Sequence, residues 1–181
     1  SSAISRVEVL GKGANENKKM LSNIVALICL TGASRAFMLG YPLHASCKVE
    51  WTFGISCEQV KQRLVSQFEA WKTADNCASG GEKCLYMLKT NTDTTVAGTH
   101  ETPVHHYIDD VSFTLTPSGS TCSVSGSSRS EIWYAVLDYG TNYCNMHNLI
   151  TGSGLDKVSG YTEKTNDDVC TQYSSADCEK Y

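Results

Sequence analysis

The chain has 181 residues, a formal net charge of −4 and nine cysteines. Residues 1–36 carry five basic and two acidic residues, so the rest of the chain is more acidic than the whole. Such a surface repels phosphates and anionic lipids, which argues against nucleic-acid and membrane binding.

Residues 20–36, MLSNIVALICLTGASRA, have the pattern of a secretory signal peptide. Lys18 and Lys19 precede an apolar run over residues 24–30, and small residues follow it. The run is much shorter than the ~18 apolar residues that a membrane-spanning helix needs. We therefore expect residues 1–19 to be a disordered leader or an artificial extension, and residues 37–181 to form a single secreted domain. The alternative is that the run is one side of a buried helix in a cytosolic protein.

The cysteine count supports secretion. One cysteine leaves with the predicted signal peptide, and the even number that remains predicts four disulfides, although the pairing cannot be deduced from sequence. In a reducing compartment these residues would suggest a metal site, but the chain has no Cys-x-x-Cys pair. The predicted disulfide cysteines are Cys47, Cys57, Cys77, Cys84, Cys122, Cys144, Cys170 and Cys178.

The first predicted elements are a strand and a helix. Residues 47–53 alternate between apolar and polar side chains, which indicates a half-buried strand. Ser56 and Gln59 form a capping-box pattern at the start of a helix over residues 57–74. The apolar residues of this helix recur at helical spacing and should pack on a core: Val60, Leu64, Phe68 and Trp71.

Antiparallel strands are predicted next, over residues 84–89, 94–101 and 104–116. In the third strand, alternation places three polar or aromatic side chains on the same side as the apolar residues Val111, Phe113 and Leu115. These three side chains are His105, Tyr107 and Asp109.

The following segments mix polar and apolar patterns. Residues 121–125 predict a strand and the Gly/Ser-rich residues 126–130 a loop, whereas residues 131–138 are apolar on both faces and predict a central strand. Residues 139–150 predict a short helix with Asn142 near its start. From about residue 152 the chain is a polar tail that Cys170 and Cys178 could hold down. The predicted fold class is α+β, with one long helix packed on an antiparallel β-sheet and stabilised by disulfides.

This order of strand, long helix and antiparallel strands resembles the cystatin arrangement. Residues 94–98, TTVAG, are similar to the Gln-x-Val-x-Gly hairpin that cystatins insert into cysteine-protease clefts, with Thr94 in place of the Gln. Residues 133–136, WYAV, are similar to the strand that leads to the second cystatin hairpin, but Leu137-Asp138 replaces the usual Pro-Trp. The resemblance implies protease inhibition through Val96, Ala97, Gly98 and Trp133. Without it, Gly98 marks a bulge or bend in a strand.

The densest group of polar side chains is HETPVHHYIDD, residues 100–110. Adjacent residues of a strand point to opposite faces, so His105 and Asp109 form the coherent subset, with Tyr107 between them. At the mouth of a pocket they could bind metal or transfer protons. The alternative is that they form the more solvent-exposed end of a strand whose other end is apolar.

A second candidate region surrounds Cys144 and His147, whose spacing resembles that of zinc ligands. Zinc would need two further ligands from cysteines that the disulfides require, so a bridge through Cys144 is the preferred interpretation. The polar side chains around it could instead form a sugar or peptide contact surface: Tyr139, Asn142, Tyr143, Asn145, His147 and Asn148.

The sequence alone favours a secreted, non-catalytic binding module for an unknown protein or small molecule. It contains no Gly-x-Ser-x-Gly, phosphate-loop or His-Glu-x-x-His motif, and we predict no catalytic residue, metal or cofactor. The alternatives are a cystatin-like inhibitor and a small hydrolase or metal-dependent enzyme built on His105 and Asp109. A ligand could occupy the space between helix and sheet, lined by Trp51, Phe53, Trp71 and Trp133, unless these residues fill a core.

Overall fold

The computed structural model describes residues 44–132 and 134–181 of the chain. The predictions for residues 1–36 and for Trp133 lie outside this part of the molecule. The described residues form a six-stranded antiparallel sheet in the order β2-β3-β4-β5-β1-β6, together with two helices. The strands are β1 Ser46–Phe53, β2 Tyr86–Asn91, β3 Thr95–Glu101, β4 Ile108–Ser118, β5 Thr121–Ser130 and β6 Thr162–Lys164, and the helices are α1 Cys57–Ala70 and α2 Thr141–Gly152.

The α+β class is confirmed, but the helical part differs from the prediction. Two helices of 14 and 12 residues replace the expected single long helix. The long helix ends at Ala70, four residues before its predicted end, and the predicted short helix is α2. The structure does not confirm a cystatin-like layout. β1 pairs with β5, so the chain crosses the sheet through α1 before it enters β2 at the opposite edge.

The start of α1 follows the predicted capping box. The Ser56 hydroxyl accepts a hydrogen bond from the Gln59 amide at 3.3 Å, and the Gln59 side-chain oxygen accepts one from the Ser56 amide at 3.2 Å. These bonds satisfy backbone groups that a helix end leaves unpaired. The predicted apolar stripe is also confirmed, because Val60, Leu64 and Phe68 are fully buried and Trp71 packs at its edge.

Both helices cover the same face of the sheet, and small residues on that face let them approach. A Cβ atom at Gly126 of β5 would overlap the ring of Trp51 and press on the sulfur of Met146 in α2. A Cβ atom at Gly98 of β3 would meet the ring of Phe68 in α1. Trp51 and Phe53 are buried in this layer, so they belong to the core and do not line an open space under α1.

Two segments after β4 differ from the prediction. The Gly/Ser-rich residues 126–130 are part of β5, where Gly126, Ser128 and Ser130 are buried and a Cβ atom at Gly126 would collide with Trp51 and Met146. Residues 131–138 form no strand among the described positions, since β1 already occupies the free edge of β5. This segment crosses the end of the sheet instead, and the Ala45 amide donates to the Ala135 carbonyl at 2.6 Å.

β4 begins at Ile108, four residues later than predicted. Residues 102–107 form a closed loop in which the Thr102 amide donates to the Tyr107 carbonyl at 2.9 Å and the Tyr107 amide donates to the Thr102 hydroxyl at 3.0 Å. Beyond the loop, the predicted alternation holds from Asp109 to Leu115. The predicted irregularity near Gly98 lies on the neighbouring strand, where β2 bulges between Leu88 and Thr90.

Four disulfides join all eight predicted cysteines, which confirms that expectation. The pairs are Cys47–Cys170, Cys57–Cys122, Cys77–Cys84 and Cys144–Cys178. Cys144 is therefore in a bridge, as the preferred interpretation of its region required. Two of the bridges fix the polar tail, which adds β6 beside β1. Within residues 44–132 and 134–181, no helix has the length and apolar character to cross a membrane.

The sequence separations of the bridges predict unequal contributions to stability. The Cys47–Cys170 bridge closes a separation of 123 residues and the Cys77–Cys84 bridge one of seven. Loop-closure entropy assigns them about 5 and about 2.5 kcal/mol. A Cys47→Ser/Cys170→Ser variant should therefore lose about twice the free energy of unfolding lost by Cys77→Ser/Cys84→Ser, as measured by urea denaturation. Equal losses would contradict this account.

Candidate functional site

The inner face of the sheet is polar at one end. Strand pairing places Tyr86 opposite His100, His100 opposite Asp109, and Asp109 opposite Ser130, so these four residues form one row across β2, β3, β4 and β5. The neighbouring rows are apolar and covered by the helices, whereas this row lies at the end that residues 131–141 cross. A buried polar row at the end of a core is costly unless its groups find partners.

A cavity of about 440 Å³ opens at this end of the sheet. Its size lies within the ~300–1,000 Å³ of typical small-molecule sites. The acidic residues that line it are Glu82, Asp109 and Asp138, and the tyrosines are Tyr107, Tyr134, Tyr139 and Tyr181. Ile132, Ala135 and Leu137 add apolar surface, and Thr102, His105, Ser130 and Thr141 complete the lining.

Asp109 is held at the floor of the cavity by α2. The side-chain amide of Asn145 donates to Oδ2 of Asp109 at 2.8 Å, and Asp109 is only 4% exposed. Burial raises the pKa of Asp109, although hydrogen bonds from Asn145 and Ser130 oppose this effect. The carboxylate is therefore positioned by the fold but is still under-solvated.

Glu82 has no comparable partner. Its Oε2 atom is buried and makes no hydrogen bond. Burial, together with the negative charge of Asp109, raises the pKa of Glu82 to about 7, against the opposing charge of Lys180. Native proteins rarely leave such an atom unsatisfied. Among the described residues, Nδ1 of His44, Nδ1 of His100 and Oδ1 of Asp156 are also buried without a partner, and of these four residues Glu82 is the one that lines the cavity.

His100 closes the row as a neutral side chain. Burial lowers its pKa to about 4. Nε2 lies 2.8 Å from the carbonyl oxygen of Glu82, which can only accept, so this nitrogen carries the proton. The ring stacks on Tyr86 with 4.4 Å between centroids. His100 thus fixes the backbone of Glu82 beside the cavity.

A hydrogen-bonded chain fixes Asp138 on the opposite wall. Oδ2 of Asp138 accepts from the backbone and side-chain amides of Asn142 at 3.0 and 2.8 Å, and Oδ1 accepts from the Gly140 amide at 3.1 Å. The chain continues because Ser128 donates to Asn142 at 2.7 Å and Asn145 donates to Ser128 at 3.3 Å. Asp138 therefore stabilises the start of α2 and is connected to Asp109 through buried side chains.

Tyr139, which lines the cavity, has a left-handed backbone conformation. Its φ is 55°, a region that bulky residues rarely adopt, and Leu85, His106 and Gln172 share this conformation. Tyr139 is held there because its amide and that of Asp138 donate to Oε1 of Gln172 at 2.7 and 3.0 Å. Such strain costs on the order of 1–3 kcal/mol and is concentrated at functional sites.

The structure brings together some of the residues singled out by sequence. His105, Tyr107, Asp109 and Tyr139 all line the cavity, and His105 stacks on Tyr107 with 5.3 Å between centroids. His105 and Tyr107 reach it from the loop before β4, not from the strand that was predicted to carry them.

The other candidates lie elsewhere. Val96, Ala97 and Gly98 are in β3, with Val96 and Gly98 buried towards α1. Asn142 is buried and bonded within the protein, and so are Asn145 and Asn148. His147 lies beside Glu163. Trp133 is outside the described residues.

Glu82 is the main residue that sequence reasoning missed. It is the one acidic residue of a Gly-Gly-Glu-Lys loop, and no local pattern sets it apart. Its position follows from the Cys77–Cys84 bridge and from the contact with His100. Tyr134 and Tyr181 also went unnoticed because their segments cross the end of the sheet without regular structure.

A second buried carboxylate, Glu163 of β6, has a structural role. It accepts hydrogen bonds from the Trp51 indole at 2.8 Å and from the Tyr143 and Tyr161 hydroxyls at 2.7 and 2.9 Å. His147 Nδ1 lies 3.3 Å away. Burial alone would raise the pKa of Glu163, but hydrogen bonds from these four side chains lower it to about 2. Glu163 thereby ties the tail to β1 and α2.

Comparison with known proteins supplies no further assignment. No protein-family model matches the sequence, and no curated protein matches it. No cluster of three or more histidine, cysteine or acidic side chains suited to a metal ion occurs in the described part of the chain. What the fold and site define is an α+β disulfide-bonded domain with an acidic, tyrosine-lined cavity.

The Glu163 cluster predicts acid-sensitive stability. Because the folded pKa of about 2 is below the ordinary value of 4.5, the contribution is complete above pH 4.5 and is lost as pH falls through 2. Glu163→Gln should cost about 2 kcal/mol at pH 7, and the difference from the parent protein should shrink towards pH 2. Denaturation of both at several pH values tests this, with exposed Glu50→Gln as the control. A pH-independent difference would refute the explanation.

Glu82 predicts the opposite pH dependence. Because its folded pKa of about 7 exceeds the ordinary 4.5, ionisation destabilises the folded protein, with no penalty below pH 4.5 and the full penalty above 7. Glu82→Gln should therefore stabilise the protein at pH 8, by on the order of 1 kcal/mol after allowing for solvent screening, and have little effect at pH 4.5. Thermal unfolding of this variant and of exposed Glu131→Gln measures the effect. Destabilisation at pH 8 would contradict the prediction.

Proposed function

We propose that this protein is a secreted, non-catalytic binding module that takes a small molecule into the cavity at the polar end of its sheet. The observation that carries the proposal is the cavity itself, which is lined by the half-buried carboxyl group of Glu82 and by the carboxylate of Asp109 that α2 holds in place. A ligand in contact with the Glu82 carboxyl group would offset the cost of its partial burial.

The lining has the composition of a recognition site. Apolar and tyrosine side chains supply most of its surface, and a few polar groups converge on it, as is typical of small-molecule pockets. Asp109 and Asp138 are held in place by α2 before any ligand arrives. Pre-organisation of this kind reduces the entropy lost on binding.

Secretion is supported by two independent features of the chain. Four disulfides are typical of extracellular proteins and are rare in reducing compartments. The sequence of residues 20–36 has the pattern of a signal peptide. The cystatin-like inhibitor hypothesis lacks such support, because Val96 and Gly98 are buried in β3 and do not form the tip of a hairpin.

If small molecules bind in the cavity, they should shift the NMR signals of its lining residues, and the Ala135→Trp substitution should weaken this binding. Small aromatic acids, alcohols and amines, titrated separately into ¹⁵N-labelled protein, should include compounds that shift the amide signals of lining residues. Ala135→Trp should fill the cavity and weaken this binding at least about tenfold, since Ala135 lines it. Val136→Trp adds the same group at an exposed neighbouring position and should leave binding unchanged.

Two outcomes would overturn the proposal. In one, no compound of any charge shifts the lining residues. In the other, compounds bind equally well to the parent protein and to Ala135→Trp, which would place their site elsewhere.

A further inference from the structure

The geometry points to an organic cation as the ligand: a protonated amine on an apolar body, with its ammonium group between Glu82 and Asp109 and its body against the tyrosines of the cavity. This inference rests on the proposed function, since it names the class of ligand that the same cavity takes. The cavity is acidic, partly aromatic and under-solvated. Each of these properties limits the chemical class of ligand that it can bind.

The negative charge of the cavity lining argues against anionic and neutral ligands. Three of the described residues that line the cavity are acidic, and none is a lysine or an arginine. Asp138 already accepts three hydrogen bonds at the start of α2, so Glu82 and Asp109 are the carboxylates that remain for a ligand. An anion would be repelled by both. A neutral molecule would add no positive charge to that of exposed Lys180, which acts on Glu82 from the rim.

A metal ion fits less well than an ammonium group. Metal ions need several converging donors, and no group of three or more suitable side chains occurs in the described part of the chain. An ammonium group needs only one or two carboxylates, and aromatic faces can complete its surroundings. The carboxylate of Glu82, a residue that lines the cavity, is an acceptor for one of its three N–H donors.

The protein itself places an ammonium group on one of the lining rings. Nζ of Lys180 lies 4.5 Å from the centroid of the Tyr181 ring, and the positive charge of Lys180 lowers the pKa of Glu82. Lys180 is exposed, so this contact lies towards solvent. The contact places a cation beside the acidic cavity, and a ligand amine could use the tyrosine rings in the same way.

Amine binding should be coupled to release of a proton from Glu82. In the empty cavity the pKa of Glu82 is about 7, so near neutral pH part of the population is protonated and cannot pair with an ammonium group. Affinity should therefore rise with pH through 7. The titratable and charged groups around Glu82 are Asp109 of β4, Tyr86 of β2, His100 of β3, His105 of the preceding loop, and Lys180 and Tyr181 of the tail.

Three probes of nearly the same shape test the inference by calorimetry on the oxidised protein: 2-phenylethylamine, 2-phenylethanol and phenylacetate. At pH 7.5 the amine should bind at least about tenfold more tightly than the alcohol, and phenylacetate more weakly than both. Between pH 7.5 and 6 the affinity for the amine should fall roughly tenfold, because Glu82 takes up a proton. The affinity for the alcohol should not follow this change.

Glu82→Gln should reduce the affinity for the amine at least about tenfold and abolish its pH dependence, whereas Glu131→Gln should change neither. Glu131 is exposed beside the cavity but does not line it. Equal affinities for amine and alcohol, or an amine affinity unchanged in Glu82→Gln, would overturn the inference and leave the proposed function intact. Failure of all three probes would also overturn it, and the wider titration with Ala135→Trp then decides the proposed function separately.

Discussion

The structure depends on the burial of Trp51 between the sheet and α2. Its ring occupies the space above Gly126, where any side chain would collide with it, and it packs on Phe113 with 6.0 Å between centroids. Its indole N–H would be costly to bury alone, but it donates to Glu163 of β6. One side chain therefore joins β1, β4, β5, β6 and α2. Tyr143 and His147 of α2 also contact Glu163, and Asn145 of the same helix donates to Asp109.

The two buried carboxylate clusters have opposite energetics, which separates structure from function. Glu163 accepts hydrogen bonds from four side chains, and its lowered pKa indicates that the fold stabilises its negative charge. Glu82 and Asp109 have raised pKa values, so the empty protein disfavours their charges. Destabilised groups persist in proteins chiefly where a function requires them. The same physical terms thus assign Glu163 to the fold and Glu82 to the cavity.

Local chemistry determined which elements could be predicted from the sequence. The alternation in β1, the capping box at Ser56 and the even cysteine count each depend on neighbouring residues or on simple parity, and the structure agrees with them. β5 was partly missed because Gly126 is small to suit the Trp51 ring and Met146 that pack on it, a long-range requirement that propensity does not encode. Residues 131–138 were misassigned because their apolar character suggested a central strand, whereas Ile132, Ala135 and Leu137 line the cavity and Val136 is exposed. His105, Tyr107 and Asp109 were identified together, but Glu82 joins them only through tertiary contacts.

Disulfides connect the cavity to the compartment in which the protein works. Glu82 lies in the loop that the Cys77–Cys84 bridge closes, and Gln172 and Tyr181 lie in the tail that Cys47–Cys170 and Cys144–Cys178 fasten. Gln172 in turn holds the backbone of Asp138 and Tyr139 on the opposite wall. The tail is polar and buries few side chains of its own, so its position depends on these bridges more than on packing. The positions of the cavity walls therefore depend on three of the four bridges.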